Sequence, residues 1–252
     1  MPHSSDLKQK EHYNNIAGQY ELHYGDFYSS LYREEFIIKP LFDGIDLSGK
    51  KILDAMCGTG IITEHLLQHD CRIESFDLSE SQIKISKEKF PQCNYTVGTV
   101  LEMPYSDETF DVVVLHGGLH HVHPNVKAAV SEVVRVLKPG GYFINGEIHA
   151  DSIIDRMRNL WYRHDPLFED NEMSIDFDRL EADFKKDLER ISISYFGNIA
   201  YYLVINSMIL RIPFFIKRII SNPLLFIERI ITPYQTRYFS SYAITQWRKK
   251  ES

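Results

Sequence analysis

A segment around residue 54 combines an acidic side chain, several small residues and the start of a helical pattern. A short apolar run, Ile52 and Leu53, meets Asp54, and a loop of small residues then leads to the apolar residues that begin at Ile61. This order predicts a strand, a tight turn and a helix. Gly58 and Gly60 lack a Cβ atom, so the backbone there can approach a ligand closely. The free amides at the start of the helix would favour a ligand that carries a carboxylate or phosphate.

A second carboxylate, Asp77, ends the next predicted strand, residues 72–77, and Ser79 with Gln82 fits a capping box for the helix that follows. An acid at the end of this strand can accept hydrogen bonds from ribose hydroxyls. Glycine loops also occur in nicotinamide and flavin enzymes. In a dinucleotide site, however, the acid comes only after the loop, so Asp54 inside the turn makes a nicotinamide-dependent oxidoreductase the less favoured alternative.

Several segments of the chain resemble motifs of one enzyme family. Residues 54–60, Asp-Ala-Met-Cys-Gly-Thr-Gly, resemble the first motif of class I S-adenosylmethionine-dependent methyltransferases, with Met56 where the family usually has its first glycine. Residues 13–21 resemble the tyrosine-containing segment that precedes this motif, and Lys-Pro-Gly-Gly at 138–141 resembles the turn before the fifth strand. The resemblance covers roughly residues 10–150 and is to the small-molecule, methyltransferase-11-like type.

The resemblance implies an α/β, Rossmann-like fold with a seven-stranded, mostly parallel sheet and helices on both faces. We expect a single methyltransferase domain over residues 1–252, with N-terminal cap helices at 6–45, a cofactor-binding core at 46–150 and a C-terminal part at 151–252. Alternating apolar residues near 190–195 and 240–247 predict the last, antiparallel pair of strands. An apolar helical insert, residues 197–236, lies between them. Its prolines Pro213, Pro223 and Pro233 are expected to divide it into short helices.

S-adenosyl-L-methionine is the cofactor that the resemblance implies. The cofactor-binding residues it implies are Tyr13, Tyr20, Asp54, Ala55, Met56, Cys57, Gly58, Gly60, Asp77, Leu78, Thr99, Val100, Leu101 and His116. The two tyrosines share one helix face, so they fit either a flap over the cofactor or an aromatic stripe on the core. Thr99 stands where the family usually has an acid, so adenine recognition would rest on the Val100 amide and on packing.

Methyl transfer from a sulfonium depends mainly on alignment of the reacting atoms and on the exclusion of water. A general base is needed only where the acceptor must lose a proton. The candidates for a catalytic base, all at the predicted carboxyl edges of strands four and five, are His116, His120, His121, Glu147 and His149. Each histidine could instead be a structural hydrogen-bonding group.

Composition restricts the partners of the chain. The 252 residues carry a net charge of −7, which disfavours a general nucleic-acid binder.

Three cysteines without Cys-x-x-Cys spacing indicate a reducing compartment and no metal site. The start lacks a basic and apolar signal peptide, so we expect a cytoplasmic protein. Between residues 190 and 250, nine basic residues accompany one acid, Glu228, which favours an anionic partner.

The insert at 197–236 allows three roles: a lid over the acceptor pocket, a homodimer interface, or a group of helices in peripheral contact with a membrane. A membrane span is less favoured, because polar residues interrupt the uncharged run at 191–210. We therefore predict methyl transfer to a small, apolar or lipid-like acceptor or natural product, with oxygen, nitrogen, carbon and sulfur all open as the acceptor atom. The alternative is a non-catalytic, cofactor-binding regulatory or scaffold module.

Overall fold

One seven-stranded sheet organises the computed structural model, which describes residues 25–162, 173–205, 210 and 212–251. The strand order is β3-β2-β1-β4-β5-β7-β6, and β7 alone runs in the direction opposite to the other six strands. This confirms the predicted Rossmann-like sheet. The strands are β1 Lys51–Ala55, β2 Arg72–Asp77, β3 Asn94–Val97, β4 Phe110–His116, β5 Leu137–Ile148, β6 Leu188–Phe196 and β7 Tyr242–Lys249.

Helices cover both faces of the sheet. They are α1 Phe27–Arg33, α2 Lys39–Phe42, α3 Ile61–Leu66, α4 Glu80–Lys89, α5 Val126–Val136, α6 Ile153–Tyr162, α7 Phe177–Phe184 and α8 Phe214–Ile231. A π-helical turn, Glu34–Ile38, joins α1 to α2, and a second one lies at Tyr201–Ile205. Short 3-10 turns occupy Leu119–Val122 and Thr232–Tyr234. The predicted flap tyrosines Tyr13 and Tyr20 lie outside the described residues.

Alternate residues of each central strand enter one of two apolar clusters. On β1, Ile52 packs with residues of α1 to α3, whereas Leu53 packs on the opposite face with residues of α5 and α7. Both side chains are fully buried, as a parallel strand covered on both faces requires. Burial on both faces therefore fixes the register of the strands. The loops that follow β1, β2, β4 and β5 leave the sheet at its carboxyl edge, where the strands hold them in position.

The prediction that Pro223 ends a short helix was wrong. Helix α8 runs without interruption from Phe214 to Ile231 and contains Pro223. A proline inside a helix removes one backbone hydrogen bond. Buried residues before and after it, Ser221 and Leu225, hold the helix in place across this gap. Within the described ranges, no helix combines the length and the apolar composition that a membrane span needs.

The Lys-Pro-Gly-Gly segment at 138–141 was expected to form the turn before the fifth strand. Instead, β5 already begins at Leu137, which pairs with Phe110 of β4. The register shifts between Phe110 and Val112, and Gly140 adopts a φ of +71°. Residues 138–141 therefore form an irregularity inside β5 rather than a separate turn.

Candidate cofactor-binding and active site

The loop after β1 leaves open space beside Gly58. This residue adopts a left-handed φ of +53°, and a Cβ atom added there would meet a single atom within 4 Å, Gln82 Oε1 at 3.9 Å. Gly60 follows as the N-cap of α3, so the first amides of that helix face the same loop. The backbone therefore lines a cradle that a ligand can approach closely.

Asp77 joins this loop to the end of β2. Its Oδ2 accepts a hydrogen bond from the Gly58 amide at 2.9 Å, and its Oδ1 accepts one from the Ser79 amide at 2.8 Å. Burial raises the pKa of the Asp77 carboxyl, and these amides oppose the shift. Since a carboxylate oxygen can accept more than one hydrogen bond, both oxygens retain capacity for ligand hydroxyls.

Gln82 is a residue of this site that the sequence did not indicate. The predicted capping box is half formed: Ser79 Oγ accepts from the Gln82 amide at 3.3 Å, but the Ser79 amide bonds to Asp77 instead of to Gln82. The Gln82 side chain is 4% exposed, and its Oε1 has no hydrogen-bond partner among the described residues. Buried hydrogen-bond acceptors are normally bonded to a donor, so Gln82 Oε1 can accept a hydrogen bond from a ligand. The cradle beside Gly58 therefore suits a ligand with hydroxyl or amine groups.

Asp54 lies beneath the loop rather than at its surface. Its side chain accepts a hydrogen bond from Thr63 Oγ1 at 2.6 Å, and Thr63 Oγ1 lies 2.9 Å from Ser75 Oγ. Burial raises the pKa of Asp54 to about 7. These contacts tie β1, β2 and α3 together, so Asp54 is placed to hold the loop in position.

The remaining predicted cofactor residues surround the same edge of the sheet. Ala55 and Cys57 are buried, and burial raises the pKa of the Cys57 thiol, which disfavours a nucleophilic role. Val100 is buried, while Thr99 Oγ1 accepts from the Leu101 amide at 3.3 Å. Leu78, directly after Asp77, is half-buried.

Met56 connects the loop after β1 to the loop after β4. It adopts a φ of +59°, a conformation that favours the glycine usual at this position. A Cβ atom on Gly118 would lie 2.7 Å from Met56 Sδ. The methionine side chain thus packs directly on the Gly118 backbone.

A buried pair holds the loop after β4. Glu147 is fully buried; its Oε1 accepts from the Gly118 and Leu119 amides at 2.9 and 2.6 Å, and its Oε2 lies 2.6 Å from His120 Nδ1. Burial raises the pKa of Glu147 and lowers that of His120. With both carboxylate oxygens bonded inside the protein, Glu147 has the environment of a structural anchor.

His116, at the end of β4, is oriented by a tyrosine that the sequence did not indicate. Tyr242 donates to the Gly146 carbonyl at 2.5 Å, and its oxygen lies 2.8 Å from His116 Nδ1. Since the tyrosine proton is committed to the carbonyl, His116 Nδ1 is the donor and Nε2 carries the lone pair. Burial and the charge of Arg33 hold the pKa of His116 down, to about 4.

The other two histidines occupy different surroundings. The ring of His121 lies 3.8 Å from that of His120 between centroids. His149 is 3% exposed, with Nδ1 2.9 Å from the Ala150 carbonyl and Nε2 2.8 Å from Ser240 Oγ, so its ring nitrogens bond within the protein. In the described part of the chain, no three His, Cys, Asp or Glu side chains are grouped as metal ligands.

The sheet order, together with two acids at the ends of β1 and β2 beside a glycine loop, defines the class I methyltransferase fold. Residues 53–145 match the model of the family described as a methyltransferase domain. Over residues 53–145 the chain therefore matches the class I S-adenosylmethionine-dependent methyltransferases, a family for which S-adenosylmethionine is the methyl donor.

Two sequence relatives are methyltransferases by name. The chain is 34% identical over 114 residues to phthiotriol/phenolphthiotriol dimycocerosates methyltransferase of Mycobacterium tuberculosis, covering 44% of this chain and 42% of that protein. It is 31% identical over 99 residues to demethylmenaquinone methyltransferase of Renibacterium salmoninarum, covering 39% and 41%. The chain thus spans less than half the length of these two relatives.

Solved structures resemble almost the whole chain in fold. The [4+2]-cyclase SpnF has a TM-score of 0.71 at 15% identity, covering 100% of this chain and 99% of that one. A SAM-dependent methyltransferase of Thermotoga maritima has a TM-score of 0.62 at 15% identity, covering 96% and 99%. At such identities the likeness concerns the fold alone.

Proposed function

We propose that this protein binds S-adenosylmethionine at the edge of β1 and β2 and transfers its methyl group to a small, apolar or lipid-like acceptor. The observation that carries the proposal is the cradle beside Gly58, bordered by the Asp77 carboxylate and the unpartnered Gln82 oxygen. When bound, the cofactor supplies a methyl group that its positive sulfur already activates.

Each residue around the cradle has a proposed role. Asp77 accepts the ribose hydroxyls, Gln82 Oε1 accepts one further hydrogen bond, and Asp54 positions the loop through Thr63. Leu78, Thr99, Val100 and Leu101 would border the adenine, and Ala55, Met56, Cys57 and Gly60 would present backbone to the cofactor. Tyr13 and Tyr20 remain proposed as part of a flap over the cofactor.

His116 is the proposed base where the acceptor carries a proton. Its Nδ1 is held by Tyr242, which leaves the Nε2 lone pair to accept a proton. Its lowered pKa keeps the ring neutral at physiological pH. His120 and Glu147 would instead hold the loop after β4, His121 would pack against His120, and His149 would be structural.

The proposed acceptor class has two supports. The name of one relative contains a dimycocerosate, which is a lipid, and the name of the other contains a menaquinone, which is a quinone. Each name describes the substrate of that relative. This chain also exposes many apolar side chains in α8, within the insert at 197–236. A lipid-like acceptor would meet such a surface favourably.

Titration calorimetry with S-adenosylmethionine tests the binding half of the proposal. Gly58→Ala should weaken binding about tenfold or more, because the methyl group enters the cradle and the left-handed φ disfavours it. Gly49→Ala is the matched control: Gly49 has a φ of +70° with nothing within 4 Å, so only backbone strain changes. Equal affinities of both variants would contradict the assignment of the cradle.

Product analysis tests the transfer half. The protein is incubated with S-adenosylmethionine and a series of quinol, phenol and lipid-alcohol acceptors, and S-adenosylhomocysteine is quantified. Acceptor-dependent formation of S-adenosylhomocysteine supports methyl transfer. Tight cofactor binding without product from any acceptor would favour the non-catalytic module.

A further inference from the structure

Helix α8 buries mainly polar residues and exposes large apolar ones. Three of its four buried residues are polar: Lys217, Ser221 and Glu228. The opposite side of the helix carries Phe215, which is 67% exposed, and Ile219, which is 72% exposed, together with Phe226 and Ile230. Helices of globular proteins usually show the reverse arrangement. We call Phe215, Arg218, Ile219, Phe226 and Ile230 the outer face of α8.

The orientation of α8 is fixed by its buried charges. Lys217 Nζ bonds to the Asp26 carboxylate and, at 2.7 Å, to Ser29 Oγ. Farther along, Glu228 accepts hydrogen bonds from the Asn198 and Ala200 amides at 2.8 and 3.1 Å. Turning the apolar side inward would move Lys217 and Glu228 into solvent and leave the Asp26 carboxylate and the Asn198 and Ala200 amides without these partners, which is unfavourable.

The outer face is continued by neighbouring apolar residues. Tyr234 and Phe239, which follow α8, are 82% and 62% exposed. The Ile153 amide donates to the Tyr238 carbonyl at 3.0 Å, so the start of α6 adjoins this segment. Exposed apolar surface gathered in this way marks an interaction site rather than a chance distribution.

The exposed charges that α8 itself carries are positive. Glu228 is the only acid between residues 212 and 236, and it is fully buried. The exposed charged residues of α8 are Arg218 and Arg229, and Arg229 is paired with Glu35. Large apolar side chains with arginine and without acids are typical of helices that lie in the interface of an anionic bilayer.

We propose that the outer face of α8 docks onto an anionic lipid membrane. Phe215, Ile219, Phe226 and Ile230 enter the boundary between head groups and acyl chains, and Arg218 meets lipid phosphates. This docking is independent of the proposed methyl transfer, because it requires no cofactor.

Vesicle flotation tests the proposal. The full chain should float with vesicles of phosphatidylcholine plus phosphatidylglycerol and much less with phosphatidylcholine alone. Replacing two outer-face residues, in the variant Phe215→Ser/Ile219→Ser, should reduce the bound fraction at least about tenfold, since each buried apolar side chain contributes strongly. Arg218→Glu should lower binding to the anionic vesicles about fivefold or more.

Ile191→Ser is the matched control, because Ile191 is 50% exposed on β6 and its loss should leave flotation unchanged. Thermal unfolding by circular dichroism shows whether each variant is folded. Unchanged flotation of the folded Phe215→Ser/Ile219→Ser variant, or no flotation of the wild type with anionic vesicles, would overturn the proposal. A lipid-free dimer that the same double variant dissociates would also overturn it, and would assign the face to a second copy of the chain.

Discussion

At the scale of single residues, the site depends on side chains that meet across distant loops. Met56 and Gly118 lie on different loops, yet the methionine sulfur approaches the place that a Gly118 side chain would take. His116 and Tyr242 are separated by 126 positions in the chain and share a hydrogen bond. These contacts set the spacing between the loop after β1 and the proposed base.

The contact between Met56 and Gly118 leads to a prediction about stability. Gly118→Ala should destabilise the fold by about 1–3 kcal/mol, because the new methyl group overlaps the Met56 side chain. Adding Met56→Gly should remove most of this cost, since the overlapping atoms are gone. Urea unfolding of the wild type, both single variants and the double variant measures the coupling. Strictly additive effects would show that the two residues do not touch.

The lowered pKa of His116 predicts a pH dependence of stability. Its pKa lies near 4 in the folded protein and near 6.5 when unperturbed. As the pH falls below about 6.5, the unfolded chain binds a proton that the folded protein does not, so the folded state loses stability. At about pH 5 the loss is about 2 kcal/mol.

The matched comparison for this prediction is His116→Gln, which lacks the titrating ring. The free energy of unfolding of the wild type, relative to that of His116→Gln, should therefore fall by the same amount between about pH 8 and pH 5. Denaturant unfolding at several pH values provides the measurement. A pH-independent difference between the two proteins would contradict the lowered pKa.

At the scale of elements, two ion pairs attach α8 to the N-terminal helices, and they differ in burial. The side chains of Lys217 and Asp26 are 2% and 7% exposed, whereas those of Arg229 and Glu35 are 44% and 30% exposed. A buried charge that loses its partner is costly, while an exposed pair contributes little. The buried pair should therefore determine how firmly α8 is held.

Lys217→Met should accordingly destabilise the protein by about 3 kcal/mol or more, because Asp26 is left buried without its cation. Adding Asp26→Asn should recover part of the loss, since asparagine still caps α1 at the Tyr28 amide. Arg229→Met should cost no more than about 1 kcal/mol. Equal losses for Lys217→Met and Arg229→Met in urea unfolding would contradict this account.

The elements also show where sequence patterns are informative. The apolar residues before Asp54 predicted β1, because burial on both faces of the sheet dictates their composition. The proline rule failed at Pro223, since tertiary contacts of α8 outweigh one lost hydrogen bond. Gln82 and Tyr242 could not be assigned to the site, because their roles arise only when distant strands are brought together.

At the scale of the whole molecule, the candidate site lies where the strand order changes direction. β1 lies between β2 and β4. The chain continues from β1 to β2 on one side of it and later returns to β4 on its other side, so a crevice opens there at the carboxyl edge. Open α/β sheets bind their ligands at this position. The domain that matches the methyltransferase family, residues 53–145, contains this crevice. Helix α8 contributes the exposed apolar surface outside it.

A crystal structure of the protein with S-adenosylhomocysteine would test the central proposal most directly. We expect the ribose hydroxyls within hydrogen-bond distance of the Asp77 carboxylate, the nucleoside against the Gly58 backbone, and a ligand donor bonded to Gln82 Oε1. A nucleoside bound away from Gly58 and Asp77 would contradict the proposed site.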